Sequence, residues 1–212
     1  MYHNLPSSQT TCEVPERALI IISVIRLILA SNSPRRRELL QNAGFEFDVR
    51  PSGIEEIRLP GESPEDFARR LARDKALDVA RQSVAGSFVL GADTVVAING
   101  EILEKPIDAT DAARMLRALS GRTHRVITGV CLVRAPQSVL AWTHETTSVT
   151  FRNLTEEEIG SYVASGEPFD KAGGYAIQGL ASRFIPRIEG CYFNVVGLPI
   201  PLVYELVRSV TE

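Results

Sequence analysis

The chain has 212 residues, 44% of them hydrophobic, enough to bury a real core in one large domain or two fused lobes. Its 23 lysines and arginines against 26 aspartates and glutamates leave it slightly acidic. That argues against a general nucleic-acid binder, which needs a net basic face, so a polyanion has to be met locally. Cys12, Cys131 and Cys191 are odd in number and widely spaced, which gives neither a disulfide framework nor a Cys-x-x-Cys metal knuckle. They read as reduced thiols of a cytoplasmic protein.

The first feature along the chain is an apolar run over 18–30 that follows Arg17 and is interrupted by Arg26. It is too short to span a bilayer, which takes about 20 apolar residues, and no Ala-x-Ala cleavage site follows it. No membrane partner is expected. Residues 1–23 carry no pattern of their own and read as an extension, unfolded or upstream of the native start, with Val24 the candidate first residue. The domain is set at 24–212.

From there strand-like and helix-like segments alternate, which predicts an α/β fold with a mixed, partly parallel central sheet flanked by helices. A buried strand at 27–30 is followed by the loop Ser31-Asn32-Ser33 and a helix opened by Pro34 and stopped by Gly44. A second strand at 45–50 leads through an acidic loop to a long helix capped by Ser63, with Pro64 next and Asp66 at its third position. A strongly apolar strand at 88–97 ends in an Asn99-Gly100 hairpin turn, and a helix over 108–119 is closed by Gly121. Two long β segments, 123–134 and 140–151, predict an antiparallel pair. Thr155 and Glu158 form a capping box for a short helix that Gly166 ends. The last third is expected to alternate glycine-rich loops with short strands, with 190–199 a mainly architectural strand and turn. A final helix covers about 199–210.

Chemistry concentrates in a few places. Ser31, Asn32, Ser33, Pro34, Arg35, Arg36 and Arg37 leave a strand and enter a helix N-terminus, where backbone N–H groups and the helix dipole favour an anion. Three consecutive arginines oppose that dipole unless an anion neutralises them; the alternative is a polar turn before a solvated basic helix start. On the long helix Phe67, Leu71, Lys75 and Val79 share one stripe. Lys75 either snorkels at the core edge or points into a cleft. Asp93 stands inside the apolar run 89–96, and a buried carboxylate demands a cation, a metal or donors. It is either a structural aspartate held by amides or a functional carboxylate at a strand end. Pro106 holds Lys105 extended, offering a second lysine to the same cleft. Glu55-Glu56 supplies hard oxygens suited to Mg²⁺, or is an exposed acidic loop. The segment 166–179 mixes charges and glycines with Gln178, an amide that donates and accepts at once and so suits a pyrimidine edge. The histidines form no ligand set, and His124 is expected to be structural.

The ordered blocks A-S-N-S-P-R-R at 30–36, G-A-D-T-V-V at 91–96, E-K-P at 104–106, L-S-G-R-T-H at 119–124, D-K-A-G-G-Y-A-I-Q-G at 170–179 and N-V-V-G-L-P at 194–199 resemble the Maf family of nucleotide pyrophosphatases. The resemblance implies two lobes with a cleft, a fold of Maf/ITPase type, a homodimer, and hydrolysis between the α and β phosphates of a nucleoside triphosphate. By motif, Asp93 would activate water. Arg35, Thr94 and Gln178 would be tied to substrate choice, and Ser31, Arg36, Lys75 and Lys105 would hold phosphates. Glu56 with Asp93 would stand at a divalent metal, Mg²⁺ or Mn²⁺. The I-Q-G form at 177–179 looks like the branch acting on dTTP and UTP, with modified pyrimidine nucleotides in the same class. This chain has Glu55-Glu56 where the family often has Asp-Glu. The rival reading is a non-catalytic nucleotide-binding regulator of cell division. A nucleic-acid module built on 35–37 lacks both net basic charge and an aromatic platform.

Overall fold

A computed structural model of the chain describes residues 25–210. The expected extension over 1–23 lies outside the described residues. In chain order the elements are β1 (Leu27–Leu29), α1 (Pro34–Asn42), β2 (Phe47–Val49), α2 (Pro64–Arg81), β3 (Phe88–Ile98), β4 (Glu101–Leu103), α3 (Ala109–Leu119), β5 (Thr123–Arg134) and β6 (Ser138–Thr150). There follow α4 (Glu156–Ala164), β7 (Arg187–Glu189), α5 (Tyr192–Val196) and α6 (Ile200–Arg208). The strands form one sheet in the order β2-β1-β3-β5-β6-β7, with β4 paired to β3. β1 is parallel to β2 and β3; every other pairing is antiparallel, so the sheet is mixed as the alternation of segments predicts.

Local signals explain most boundaries. Ser63 accepts from the Asp66 amide and donates to its carboxylate at 2.7 Å, starting α2. Both halves of the Thr155–Glu158 capping box are present at α4. Asn99 and Gly100 have φ of 50° and 82°, the left-handed pair that a tight β3–β4 hairpin needs.

The last third departs from expectation. Three 3₁₀ turns, Glu167–Asp170, Ala172–Gly174 and Leu180–Phe184, replace most of the expected short strands, and among the described residues β7 is the one strand of this part. Residues 192–196 form α5 rather than a strand. Asn194 is the reason: wholly buried, it donates to the Val126 carbonyl and to Thr147 Oγ1, which ties the turn to the sheet face instead of adding it to the sheet.

Alternation along β3 divides the core. Val89, Gly91, Asp93, Val95 and Ala97 face α2, where Val89 joins Ile28, Ala72, Ala76 and Val79, and Val95 and Ala97 join Phe67 and Leu71. On the opposite face Leu90 and Ala92 pack with Leu29, Leu40, Val196 and Val203, whereas Val96 and Ile98 pack with Leu116, Phe151 and Tyr175. Thr94 falls between those two clusters, and the boundary between them is the floor of a cleft. The two lobes are thus two cores on one face of a shared sheet.

Helix α2 lies unusually close to that sheet. A Cβ at Gly91 would overlap the Ala72 carbonyl oxygen and Ala76, and one at Gly129 would overlap the Ala68 carbonyl and the Arg69 amide. The obstacle is helix backbone, which cannot move aside as a side chain can. Gly129→Ala is therefore expected to cost at least about 2–3 kcal/mol, read as a lowered midpoint in thermal unfolding. An unchanged midpoint would place the helix farther from β5 than described.

Candidate active site

The register of β3 creates the site. β1 pairs with it over Phe88–Leu90 and β4 over Val96–Ile98, so residues 91–95 have β5 on one side and an open gap on the other. Asp93 is expected at a strand end, but it sits in the middle of β3. What ends beside it is β1: the Ala30 amide gives a last hydrogen bond to the Leu90 carbonyl, and the parallel part of the sheet stops there. The ligand position at the carboxyl end of a parallel strand is kept, but the carboxylate comes from the neighbouring, longer strand. Because the edge is open, Asp93 on one face and Thr94 on the other both reach the cleft.

On the α2 face, the close approach allowed by Gly91 and Gly129 brings Lys75 onto Asp93. Both residues are buried, at 7% and 6% exposure, and Lys75 Nζ donates to Asp93 Oδ1 at 2.7 Å. The same ammonium donates to Glu56 Oε1 at 2.5 Å, so two carboxylates converge on one point. Burial pushes the Asp93 carboxyl above the usual aspartate range, against the pull of Lys75 and Arg36. Partial burial also acts to raise Glu56, but the hydrogen bond and charge of Lys75, with Lys105 and Arg36 behind it, hold it below the usual range. Of the two accounts of Lys75, snorkelling and cleft, the second is what the geometry shows.

Arg36 occupies the gap itself. Its Nε donates to the Gly197 carbonyl at 2.9 Å, Nη1 to the Ala92 carbonyl at 2.9 Å and to Ser31 Oγ at 3.2 Å, and Nη2 to Thr94 Oγ1 at 3.0 Å. The Ala92 carbonyl lies in the stretch of β3 with no strand on that side, so the guanidinium substitutes for a missing neighbour. Burial lowers its pKa, opposed by Asp93 and Glu56. The tension of three arginines at a helix N-terminus is thus eased partly by protein carbonyls. Ser33 caps α1, Arg37 is exposed, and Arg35 reaches across the cleft to Asp170 Oδ2 at 3.1 Å.

Ser31, Arg35, Arg36, Glu56, Lys75, Asp93, Thr94, Lys105 and Gln178 all line one cleft of about 420 Å³, within the range of small-molecule sites. Residues outside the expected set also line it, among them Asp170 and Lys171, which form an ion pair with each other, and Val196 and Gly197. The first two stand in the charged, glycine-rich stretch, whose composition is the available signal. The last two belong to 190–199, which the sequence presents as architectural; the Gly197 carbonyl is a partner of Arg36, so that segment also shapes the site. His124 stays outside. It is buried, bonded through Nε2 to the Tyr175 hydroxyl at 2.7 Å, and burial lowers its pKa to about 4, so it is a neutral core residue as expected.

A mixed α/β sheet opening onto a cleft with arginine and lysine side chains around one buried carboxylate has the charge and room of a small-molecule site for a polyanion. The chain belongs to the family described as Maf-like protein, whose family model matches residues 26–210. It is 54% identical over 182 residues to a dTTP/UTP pyrophosphatase of Koribacter versatilis, covering 86% of this chain and 93% of that one. A dTTP/UTP pyrophosphatase of Geobacter sulfurreducens is 52% identical over 185 residues, 87% of this chain and 96% of its own. One from Shigella sonnei is 54% identical over 183 residues, 86% and 92%. Among solved structures, a HAM1 protein from Coxiella burnetii overlaps with a TM-score of 0.43 at 17% identity, over 60% of this chain and 73% of that one.

Proposed function

We propose that this protein is a nucleoside triphosphate pyrophosphatase that hydrolyses dTTP and UTP, and modified pyrimidine nucleotides of the same shape, to the monophosphate and pyrophosphate. The observation that carries the reading is the convergence of Asp93, Lys75, Arg35 and Lys105 on one triphosphate-sized cleft. The names of the relatives support the choice of dTTP and UTP.

In this mechanism a water oxygen bonds to the α phosphorus as the bond from that phosphorus to the bridging oxygen breaks. The water proton passes to Asp93, and pyrophosphate leaves. Burial that raises the Asp93 pKa makes it a stronger base for that proton. Lys75, Lys105 and Arg35 balance the charge that builds on the phosphates, as phosphoryl chemistry requires. Arg36 and Ser31 hold the loop that faces the phosphates, and one Nη2 hydrogen of Arg36 remains for an anion. Gln178 is exposed at the rim and meets the base edge.

Glu56 and Asp93 fit a divalent ion, because both already reach a single cation, the Lys75 ammonium. Among the described residues no group of three or more His, Cys, Asp or Glu surrounds a metal position. That matches the way Mg²⁺ is held by one or two carboxylates, with phosphate oxygens and water completing its shell. Mg²⁺ or Mn²⁺ there would supply charge neutralisation at the triphosphate.

The reading includes a homodimer, carried by the family likeness, and a cytoplasmic location, for which the free thiols Cys131 and Cys191 speak. No helix among the described residues is long and apolar enough to cross a membrane. The test is incubation of the purified protein with a panel of nucleoside triphosphates, with and without Mg²⁺ or Mn²⁺, measuring pyrophosphate. Release from dTTP and UTP, dependent on the cation, is expected. Binding of those nucleotides without release would instead favour the reading as a non-catalytic nucleotide-binding regulator.

A further inference from the structure

The segment 170–178 supplies Asp170, Lys171, Ala176, Ile177 and Gln178 to the cleft, and its middle is pinned by two contacts. The Gly173 amide donates to the Glu104 carbonyl at 3.0 Å, and the Tyr175 hydroxyl meets His124. Neither contact holds the end that carries Gln178. Among the described residues the Gln178 side chain has no protein hydrogen-bond partner, so how far its amide reaches into the cleft is set by the adjacent backbone.

That backbone is a turn closed by the Gly179 amide on the Ala176 carbonyl at 3.1 Å, and Glu167 anchors it to α4. Its Oε2 accepts from the Leu180 amide at 3.0 Å, and its Oε1 accepts from the Tyr162 hydroxyl at 2.9 Å. Tyr162 is fully buried in the core of α4, so the carboxylate is itself anchored from behind. A Cβ at Gly179 would overlap this carboxylate, and only glycine lets it come so close to the chain beside Gln178. The Glu167 carbonyl also accepts from Lys171 Nζ at 2.7 Å, which ties the start of the loop to its end through one residue.

We propose that Glu167 is a positioning residue for substrate choice, holding residues 179–180 so that the Gln178 amide stands at the depth of a pyrimidine edge. This rests on the reading of Gln178 as the group that meets the base. The uracil ring of UTP and the guanine of GTP present the same neighbouring N–H donor and carbonyl acceptor, displaced from each other by the size of the ring system. An amide therefore separates them by where it stands, not by its chemistry.

The experiment measures kcat and KM for pyrophosphate release from UTP and GTP by the wild type, Glu167→Gln, Glu167→Ala, Gln178→Ala and the Glu167→Ala, Gln178→Ala double variant, with thermal unfolding alongside. For Glu167→Ala the ratio of kcat/KM for UTP over GTP is expected to fall about tenfold, chiefly through KM for UTP. Glu167→Gln, which keeps one acceptor in place, recovers part of the ratio. In the Gln178→Ala background the further change Glu167→Ala moves the ratio less than about twofold, the mark of two residues acting through one group. Equal losses for UTP and GTP in both Glu167 variants, or full additivity in the double variant, would make Glu167 a structural clamp and overturn the proposal alone. A Gln178→Ala enzyme with the wild-type ratio would overturn it by removing the base-reading role of Gln178, a distinguishable failure.

Discussion

Asp93→Asn is expected to lower kcat for pyrophosphate release from dTTP by roughly 10³-fold, while the protein keeps its fold. Asparagine has nearly the shape of aspartate, and its carbonyl oxygen can take the place of Oδ1 in the 2.7 Å hydrogen bond from Lys75. What it lacks is the capacity to accept the proton of the attacking water. Stability is expected to stay within about 1 kcal/mol of wild type, because two effects oppose each other. Losing the charge partner of Lys75 destabilises, but burial already disfavours the ionised carboxylate, as its raised pKa shows, and that penalty goes with the charge. Glu56 continues to hold Lys75. Steady-state kinetics and thermal unfolding on one preparation check both halves. Turnover near the wild-type rate in a folded Asp93→Asn protein would take Asp93 out of the mechanism.

Much of this site is legible in the sequence because its signals are local. A charge inside the apolar run 89–96 marks Asp93, a lysine on the apolar stripe of α2 marks Lys75, and Pro34 and the Ser63 cap mark the entries of α1 and α2. Other features depend on partners far along the chain. That Asp93 lies at mid-strand beside the end of β1 follows from the unequal lengths of β1, β3 and β4, which no window around Asp93 contains. Gly91 and Gly129 read as ordinary strand glycines until α2 is laid across them. That Arg36 also bonds the carbonyls of Ala92 and Gly197 is hidden in the same way, because both partners are distant in sequence. Glu167 is indistinguishable from a solvated loop glutamate until Leu180 and Tyr162 close on it. The strand expected within 190–199 fails for the same kind of reason, since the apolar pattern is that of a strand and the buried bonds of Asn194 override it.

Lys75→Met should be the second severe variant, and its damage divides between catalysis and stability in a pH-dependent way. Methionine keeps the apolar stem that packs between Leu71 and Val79 but removes the ammonium on which Glu56 and Asp93 converge. Two carboxylates are then left facing one vacated point, one of them buried. Removing one partner from a buried ion pair costs about 3–5 kcal/mol, and a loss of that order is expected near pH 7.5. The like charges push the Asp93 carboxyl further above its ordinary range. A carboxyl whose folded pKa lies above its unfolded one holds its proton better in the folded state, so folding regains stability as the pH falls through that raised pKa. The deficit of Lys75→Met relative to wild type should therefore shrink by about 1–2 kcal/mol between pH 7.5 and pH 5, a direction opposite to the usual acid destabilisation. Turnover should drop at least about 10²-fold at pH 7.5, since the phosphates lose a donor and the two carboxylates lose the cation that balances them. Urea unfolding at the two pH values, with kinetics at the higher one, tests the claim. A deficit equal at both values would mean that Lys75 does not separate these carboxylates in solution, and the convergence on which the catalytic reading depends would be lost with it.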